Sequence, residues 1–286
     1  MRFLFTINES YVEPIKPLLY SIYSNIGCKN EYYFLYSNIS EKSIYELTTF
    51  ILNKCKGTVN FVLFPYLDVV HELPISGNWS TEIYYRLFAP YIFKEIDQLI
   101  YLDGDTLISG KLSEIVKLRD DNSFVIAGVK DVAQEMNIKR LQLLEPNDVY
   151  INSGVLVMNL NRWRELLPMK KLLSELQNYK SLLSFPDQDF INLVWQNHIR
   201  LLPRSYNYMI NLTERNKSYI TIKKPEIIHY VFTKPWLDYY EYHSDGPYLS
   251  YLRKSGNMKL AFSLLKKHTI LRLKMKTKSL LGREAK

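Results

Sequence analysis

Residues Leu99–Gly110 read LIYLDGDTLISG. An apolar run ends in two carboxylates, Asp103 and Asp105, with only Gly104 between them, and apolar residues resume at once. In an extended segment residues two apart point to the same side, so the two acids can converge on one point. Gly104 lets the backbone turn sharply or approach a ligand closely. Like charges held this near repel unless a proton or a cation intervenes. Most Asp-x-Asp pairs are solvated turns; the alternative is a hard divalent ion shared with a substrate's phosphates. The run before the pair, Asp97–Leu102, reads as a central strand, and open α/β sheets bind ligands at the carboxyl ends of such strands.

Outward from this point the chain alternates. Arg2–Ile7, Glu31–Tyr36 and Val59–Phe64 read as short apolar strands, separated by helices over Val12–Asn25 and Ser43–Lys54, the latter capped by Ser40. Ser80–Phe93 and Phe185–Gln196 are further expected helices, and Phe124–Val129, Ile151–Leu160 and Ile227–Val231 further strands. Strand–helix–strand units of this length predict a mostly parallel sheet with helices on both faces. Lys130–Asp148 has weak periodicity and is expected to form a lid or acceptor-binding excursion.

At 286 residues the chain is long enough for one α/β domain and a tail. Two cysteines, Cys28 and Cys55, offer neither a disulfide framework nor metal spacing and read as reduced thiols. Residues 1–7, MRFLFTI, are too short an apolar stretch for a signal peptide, and no run is long and apolar enough to span a membrane. A cytoplasmic protein is expected. The total charge of +8 is uneven: from Arg253 onward eleven Lys/Arg face one acid, Glu284, a net of +10 that leaves −2 for the preceding 252 residues. A near-neutral body and a tail with no aromatic beyond Phe262 argue against nucleic acid as a partner.

Five motifs, carried in order on four stretches, resemble glycosyltransferase family 8, the retaining, nucleotide-sugar-dependent enzymes of the GT-A fold. The stretches are YYRLFAPYIFKEIDQLIYLDGDTLISGKLSEI (Tyr84–Ile115), with its Tyr-Arg-Leu helix and Tyr-Leu-Asp-x-Asp-Thr strand end, INSGVLVMNLNRWRE (Ile151–Glu165), FPDQDFIN (Phe185–Asn192) and IIHYVFTKPW (Ile227–Trp236). The resemblance covers roughly residues 2–240. It implies an α/β fold of GT-A type: a Rossmann-like, mixed, mostly parallel sheet flanked by helices in residues 1–250, followed by a basic, partly helical tail over 251–286.

The resemblance also implies roles. Asp103, Asp105 and the imidazole of His229 hold Mn2+ or Mg2+, which neutralises the leaving diphosphate of a UDP-hexose. Arg86 sits near the donor sugar and the carboxylates, and Lys234 contacts the diphosphate. Gly104, Asn152, Asp187 and Gln188 line the donor site, with Gln188 nearest the reacting face of the anomeric carbon and Asp189 supporting Arg86. Thr6, Asn8 and Tyr11 face the base, although the family commonly carries an acid in this stretch where Asn8 stands. HYVFTKPW also lacks the glycine usual between the His and the Lys-Pro-Trp. Because Gln188 is an amide and a poor nucleophile, front-face substitution is expected, with Asp187 as covalent nucleophile the competing route. The expected reaction is transfer of galactose or glucose to a glycan on a lipid or protein. The basic tail is expected to rest on the anionic inner face of the membrane. The rival reading is a catalytically inactive sugar- or nucleotide-binding protein on the same scaffold.

Overall fold

The computed structural model describes residues 1–75, 77, 79–143, 145–210, 222–231, 234–238 and 246–281. Four strands alternate with helices at first: β1 (Arg2–Thr6), α1 (Lys16–Ile26), β2 (Glu31–Tyr36), α2 (Glu41–Phe50), β3 (Thr58–Leu63), α3 (Leu67–His71), α4 (Tyr85–Ile92) and β4 (Gln98–Leu102). Then follow β5 (Thr106–Ile108), α5 (Ser113–Lys117), β6 (Ile126–Lys130), α6 (Gln134–Arg140), β7 (Ile151–Asn159), α7 (Leu160–Leu166), α8 (Met169–Tyr179), α9 (Pro186–Val194), β8 (Ile199–Leu201), β9 (Tyr208–Met209) and β10 (Ile227–His229).

Seven strands form the main sheet in the order β3-β2-β1-β4-β7-β6-β8. All neighbours pair in parallel except β7, which runs against both β4 and β6. The mixed, mostly parallel sheet expected from the sequence is therefore present. Its faces separate by the two-residue period of the strands. Leu4, Leu99, Tyr101, Leu156 and Met158 pack beneath α4, α7 and α9, whereas Phe3, Phe5, Ile100, Leu102, Val155 and Val157 pack beneath α1 and α2. Burying each such side chain contributes about 1.5–3 kcal/mol. Two opposed cores fix the register of β4 against β1 and β7, and so fix where Asp103 emerges.

A second sheet, β5-β10-β9, begins where the first ends. Asp103 closes β4; after the single residue Gly104, Asp105 leads into β5, which runs antiparallel to β10 with Thr106 opposite His229. The DGD segment is thus the hinge between two sheets. Behind the second sheet a third core gathers Leu107, Ile228, Tyr230 and Trp236 against Tyr248 and Leu252 of the helix Gly246–Lys254. Ala261 and Leu264 of the last helix, Met258–Leu281, join it. The division expected at 250/251 falls inside the helix Gly246–Lys254, and the first turns of the basic segment are part of this core.

Several boundaries differ from the sequence reading for local reasons. The first helix starts at Lys16 rather than Val12, with Pro17 in its first turn, and Glu9–Tyr11 forms a separate tight turn. The helix expected over Ser80–Phe93 is a tight 3-10 turn, Thr81–Tyr84, that continues into α4. Ser40 does cap α2, accepting from Ser43 N–H at 3.2 Å. Within Lys130–Asp148 the chain forms the short helix α6. Among the described residues no helix is long and apolar enough to cross a membrane.

Candidate active site

The ligand atoms of Asp103, Asp105 and His229 all lie within 4.8 Å of one another. His229 Nε2 is 3.3 Å from Asp105 Oδ1 and 3.7 Å from Asp103 Oδ2. The backbone brings them together: Asp103 N–H donates to Gly154 O at 2.8 Å, and Tyr230 N–H to Asp105 O at 3.0 Å. Gly154 also leaves the gap in which the three meet. A Cβ there would press into the His229 ring and stand 2.8 Å from Asp103 Oδ2. Gly104 plays a matching part, since a Cβ on it would lie 2.7 Å from the Tyr11 ring.

This donor set fits a divalent cation. Asp105 is buried, and its Oδ1 accepts no hydrogen bond among the described residues. An orphaned, buried carboxylate oxygen is costly unless a cation faces it. Burial opposes ionisation of Asp105, but the Lys234 ammonium leads the groups that outweigh it and hold the carboxyl below the usual range. Lys234 Nζ is bonded to Asp105 Oδ2, and also donates to Tyr230 O at 2.9 Å and Val231 O at 2.8 Å. The lysine expected at the diphosphate therefore rests here on a carboxylate of the cation cluster.

Arg86 is buried on α4, and its side chain reaches residues of β7 and the end of β4. Its Nη2 lies 3.0 Å from Asp103 Oδ1, its Nη1 donates to Ser153 O at 2.7 Å, and its Nε donates to Ile83 O at 3.1 Å. The guanidinium centre stacks 3.9 Å from the Tyr101 ring. Burial alone would lower its affinity for a proton; Asp103 and Asp187 more than reverse that. Tyr101 hydroxyl donates to Asp103 Oδ1 at 2.7 Å and lies 3.0 Å from Thr6 Oγ1. With its one hydrogen given to the carboxylate, Tyr101 must accept from Thr6. Thr6 thus braces Asp103 through Tyr101.

Asp187 Oδ2 is 3.2 Å from Arg86 Nε, yet it accepts no hydrogen bond among the described residues, since that N–H is spent on Ile83. Burial pushes the Asp187 carboxyl up to about 6, against the pull of Arg86. Next to it, Gln188 Oε1 accepts from Ser153 N–H at 3.0 Å and from Asn152 Nδ2 at 2.9 Å. Asp189 does not reach Arg86. Its Oδ1 accepts from Arg140 at 2.6 Å and from Tyr150 at 2.5 Å, and its Oδ2 accepts from Phe185 N–H. On a helix, residues two apart face away from each other, so Asp187 and Asp189 cannot share a partner.

At the amino-terminal side, Asn8 caps its turn by accepting from Ser10 N–H at 3.1 Å. Tyr11 lies edge-on to Trp236, with ring centroids 5.5 Å apart, and covers Gly104. Burial, followed by Asp105 and Asp103, raises its hydroxyl well above the ordinary range. Three residues of the site escaped the sequence reading. Asp131, just past β6, accepts from Asn152 Nδ2 at 3.2 Å through Oδ2. Asn207, on the turn Arg204–Asn207, lies 2.9 Å from His229 Nδ1. Gly154 is the third. Gly154 stands in the Asn-x-Gly-Val stretch quoted for the resemblance but was given no role there, whereas no local pattern marks Asp131 or Asn207, which reach the site through the topology.

A carboxylate–imidazole cluster lies at the hinge of a two-sheet α/β fold of GT-A type, beside a buried arginine and a pocket of amides. In agreement, the chain aligns over 90% of its length with the galactosyltransferase LgtC solved with donor and acceptor sugar analogues, covering 96% of that chain at a TM-score of 0.73 and 19% identity. The sequence profile of Glycosyl transferase family 8 matches residues 3–239. The chain belongs to glycosyltransferase family 8. It is 32% identical over 252 residues to the lipopolysaccharide 1,2-glucosyltransferase of Escherichia coli, covering 83% of this chain and 74% of that protein. It is 29% identical over 187 residues to the lipopolysaccharide 1,3-galactosyltransferase of Salmonella typhimurium, covering 62% of this chain and 54% of that one. The expectation of an enzyme of hexosyltransferase type agrees with these relatives.

Proposed function

We propose that this chain is a metal-dependent, retaining hexosyltransferase that moves glucose or galactose from a UDP-sugar to a glycan acceptor. The observation that carries the reading is the convergence of Asp103, Asp105 and His229 around a buried oxygen of Asp105 that has no hydrogen-bond partner among the described residues. Mixed oxygen and nitrogen donors suit Mn2+, with Mg2+ the second choice. When bound there, such an ion supplies Lewis acidity toward the donor's diphosphate.

The remaining work falls to the chain's own side chains. Arg86 clamps Asp103 and stands beside Asp187 from a dry position, so both acids are placed before substrate arrives. Asp187 Oδ2, without a hydrogen-bond donor among the described residues, accepts from a donor-sugar hydroxyl. Gln188 directs a neutral amide toward the sugar pocket, where a carboxylate would be needed for a glycosyl-enzyme intermediate. The acceptor hydroxyl therefore attacks the anomeric carbon on the face from which UDP departs. The bond from that carbon to the diphosphate oxygen breaks, and the departing oxygen takes the hydroxyl proton. Thr6, Asn8 and Tyr11 lie on the side proposed for the base, and Lys234 leaves Asp105 to contact the diphosphate.

Relatives named for lipopolysaccharide support a glycolipid acceptor. The +10 of the carboxyl-terminal segment supports peripheral attachment to the anionic inner face of a membrane, at about 1 kcal/mol per Lys or Arg near the surface. The test is a screen of nucleotide sugars for consumption with Mn2+ and with a chelator. UDP-glucose or UDP-galactose should be consumed only with the ion present. Consumption that ignores the chelator, or no consumption of any UDP-sugar, would overturn the reading.

A further inference from the structure

The hydrogen-bond polarity around His229 is determined by the backbone. Gly154 N–H donates at 3.0 Å to the Asn152 side-chain atom assigned as Oδ1. A backbone N–H can only donate, so that atom is the amide oxygen and no flip is allowed. The Asn207 atom 2.8 Å from the same oxygen must then be its amide nitrogen. The other end of the Asn207 amide, 2.9 Å from His229 Nδ1, must be its oxygen. An amide oxygen only accepts, so Nδ1 carries the hydrogen. In the neutral imidazole Nε2 is then a bare lone pair, and it is Nε2 that faces Asp103 and Asp105.

Asn152 continues the same chain on its other arm. Its Nδ2 donates to Gln188 Oε1 at 2.9 Å and to Asp131 Oδ2 at 3.2 Å. The Gln188 assignment is fixed in the same way, by Ser153 N–H. Four buried side chains therefore share one donor-to-acceptor direction: His229 to Asn207, Asn207 to Asn152, Asn152 to Gln188. Asn207 itself sits on a turn anchored by Tyr206, whose hydroxyl accepts from Glu114 N–H at 3.0 Å and donates to Lys111 O at 3.2 Å.

We infer that Asn207 is a positioning residue that sets the tautomer of His229 for cation binding and, through Asn152, ties the cation grip to the sugar-facing Gln188. This rests on the proposed metal-dependent reading. Partners of this kind behind a ligating imidazole orient its ring and raise its basicity.

Two measurements test it. Wild-type protein with 15N-labelled histidine, saturated with Mg2+ and UDP, should give a His229 imidazole protonated at Nδ1 and not at Nε2, the signal being identified by its loss in His229→Gln. Mn2+ affinity, read by electron paramagnetic resonance of free Mn2+, should fall about 10–100-fold in Asn207→Leu. It should stay within about threefold of wild type in Asn207→Asp, which keeps an oxygen toward Nδ1. Asn207→Asp loses the donor to Asn152, so its kcat should still fall. A His229 protonated at Nε2, wild-type affinity in Asn207→Leu, or equal loss in both variants would overturn the inference. No Mn2+ binding by wild type would instead overturn the metal-dependent reading beneath it. Should Asn207→Leu not fold, the wild-type spectrum and Asn207→Asp still decide.

Discussion

Arg86 Nη2 stands 3.0 Å from Asp103 Oδ1, joining a helix of one face of the sheet to the strand end that opens the site. The pair is buried on the arginine side, and the same guanidinium reaches Ser153 O and Ile83 O and lies beside Asp187. A lysine is a point charge and cannot span that fork. Arg86→Lys should fold yet lose about 100-fold in kcat, the scale of a misplaced reacting group. Arg86→Ala should lose stability by about 3 kcal/mol, because the buried Asp187 and the half-buried Asp103 carboxylates are left without their cation. Steady-state kinetics and denaturant melts of both variants check this.

Gly154→Ala inserts a methyl between His229 and Asp103. Overpacking of this kind costs about 1–3 kcal/mol. The larger expected effect is on the cation site: Mn2+ affinity should drop at least about tenfold, as for disturbed ligand orientation. Titration calorimetry with Mn2+ and UDP reads this, and unchanged affinity would contradict the role given to the glycine.

Lys234 supplies Asp105 with its positive partner in the metal-free protein. Lys234→Met should therefore lower stability by about 3 kcal/mol in chelator, the order expected for breaking a buried pair. Mn2+ should shrink the difference from wild type, since the ion replaces the missing charge. An equal loss with and without Mn2+ would show that the lysine serves another purpose.

Asp187 gives a signed pH effect. Its carboxyl rises from 3.8 to about 6 in the folded protein, chiefly through burial. Between these values the native state keeps a proton that the unfolded chain has already released. Metal-free wild type should therefore be most favoured, as far as this group goes, below about pH 4, and should lose on the order of 3 kcal/mol as pH rises to about 6. Asp187→Asn carries no such charge. Relative to wild type it should gain stability between pH 4 and pH 8, measured by denaturant melts in chelator.

The alternation of the first hundred residues and the DGD pair were legible because both are local: apolar period, capping serine, two acids two apart. The second sheet was not. Thr106–Ile108 is three residues long and follows the hinge at once, so in sequence it reads as the continuation of β4. Asp187 and Gln188 were legible through the resemblance of FPDQDFIN. The support assigned to Asp189 failed on helical geometry, which turns it toward Arg140 and Tyr150. Asp131 and Asn207 acquire meaning only when β6, β7 and the Arg204–Asn207 turn converge, and Gly154, though part of the quoted Asn-x-Gly-Val stretch, shows its role only there. Nothing in their neighbours' spacing announces that convergence.

Binding of Mn2+ by wild type and by Asp105→Ala, followed by electron paramagnetic resonance with UDP present, tests the cation site most directly. One ion per chain should bind to wild type and none to Asp105→Ala at the same concentration, while the variant keeps a wild-type circular dichroism spectrum. Undiminished Mn2+ binding and full UDP-hexose turnover in Asp105→Ala would contradict the account.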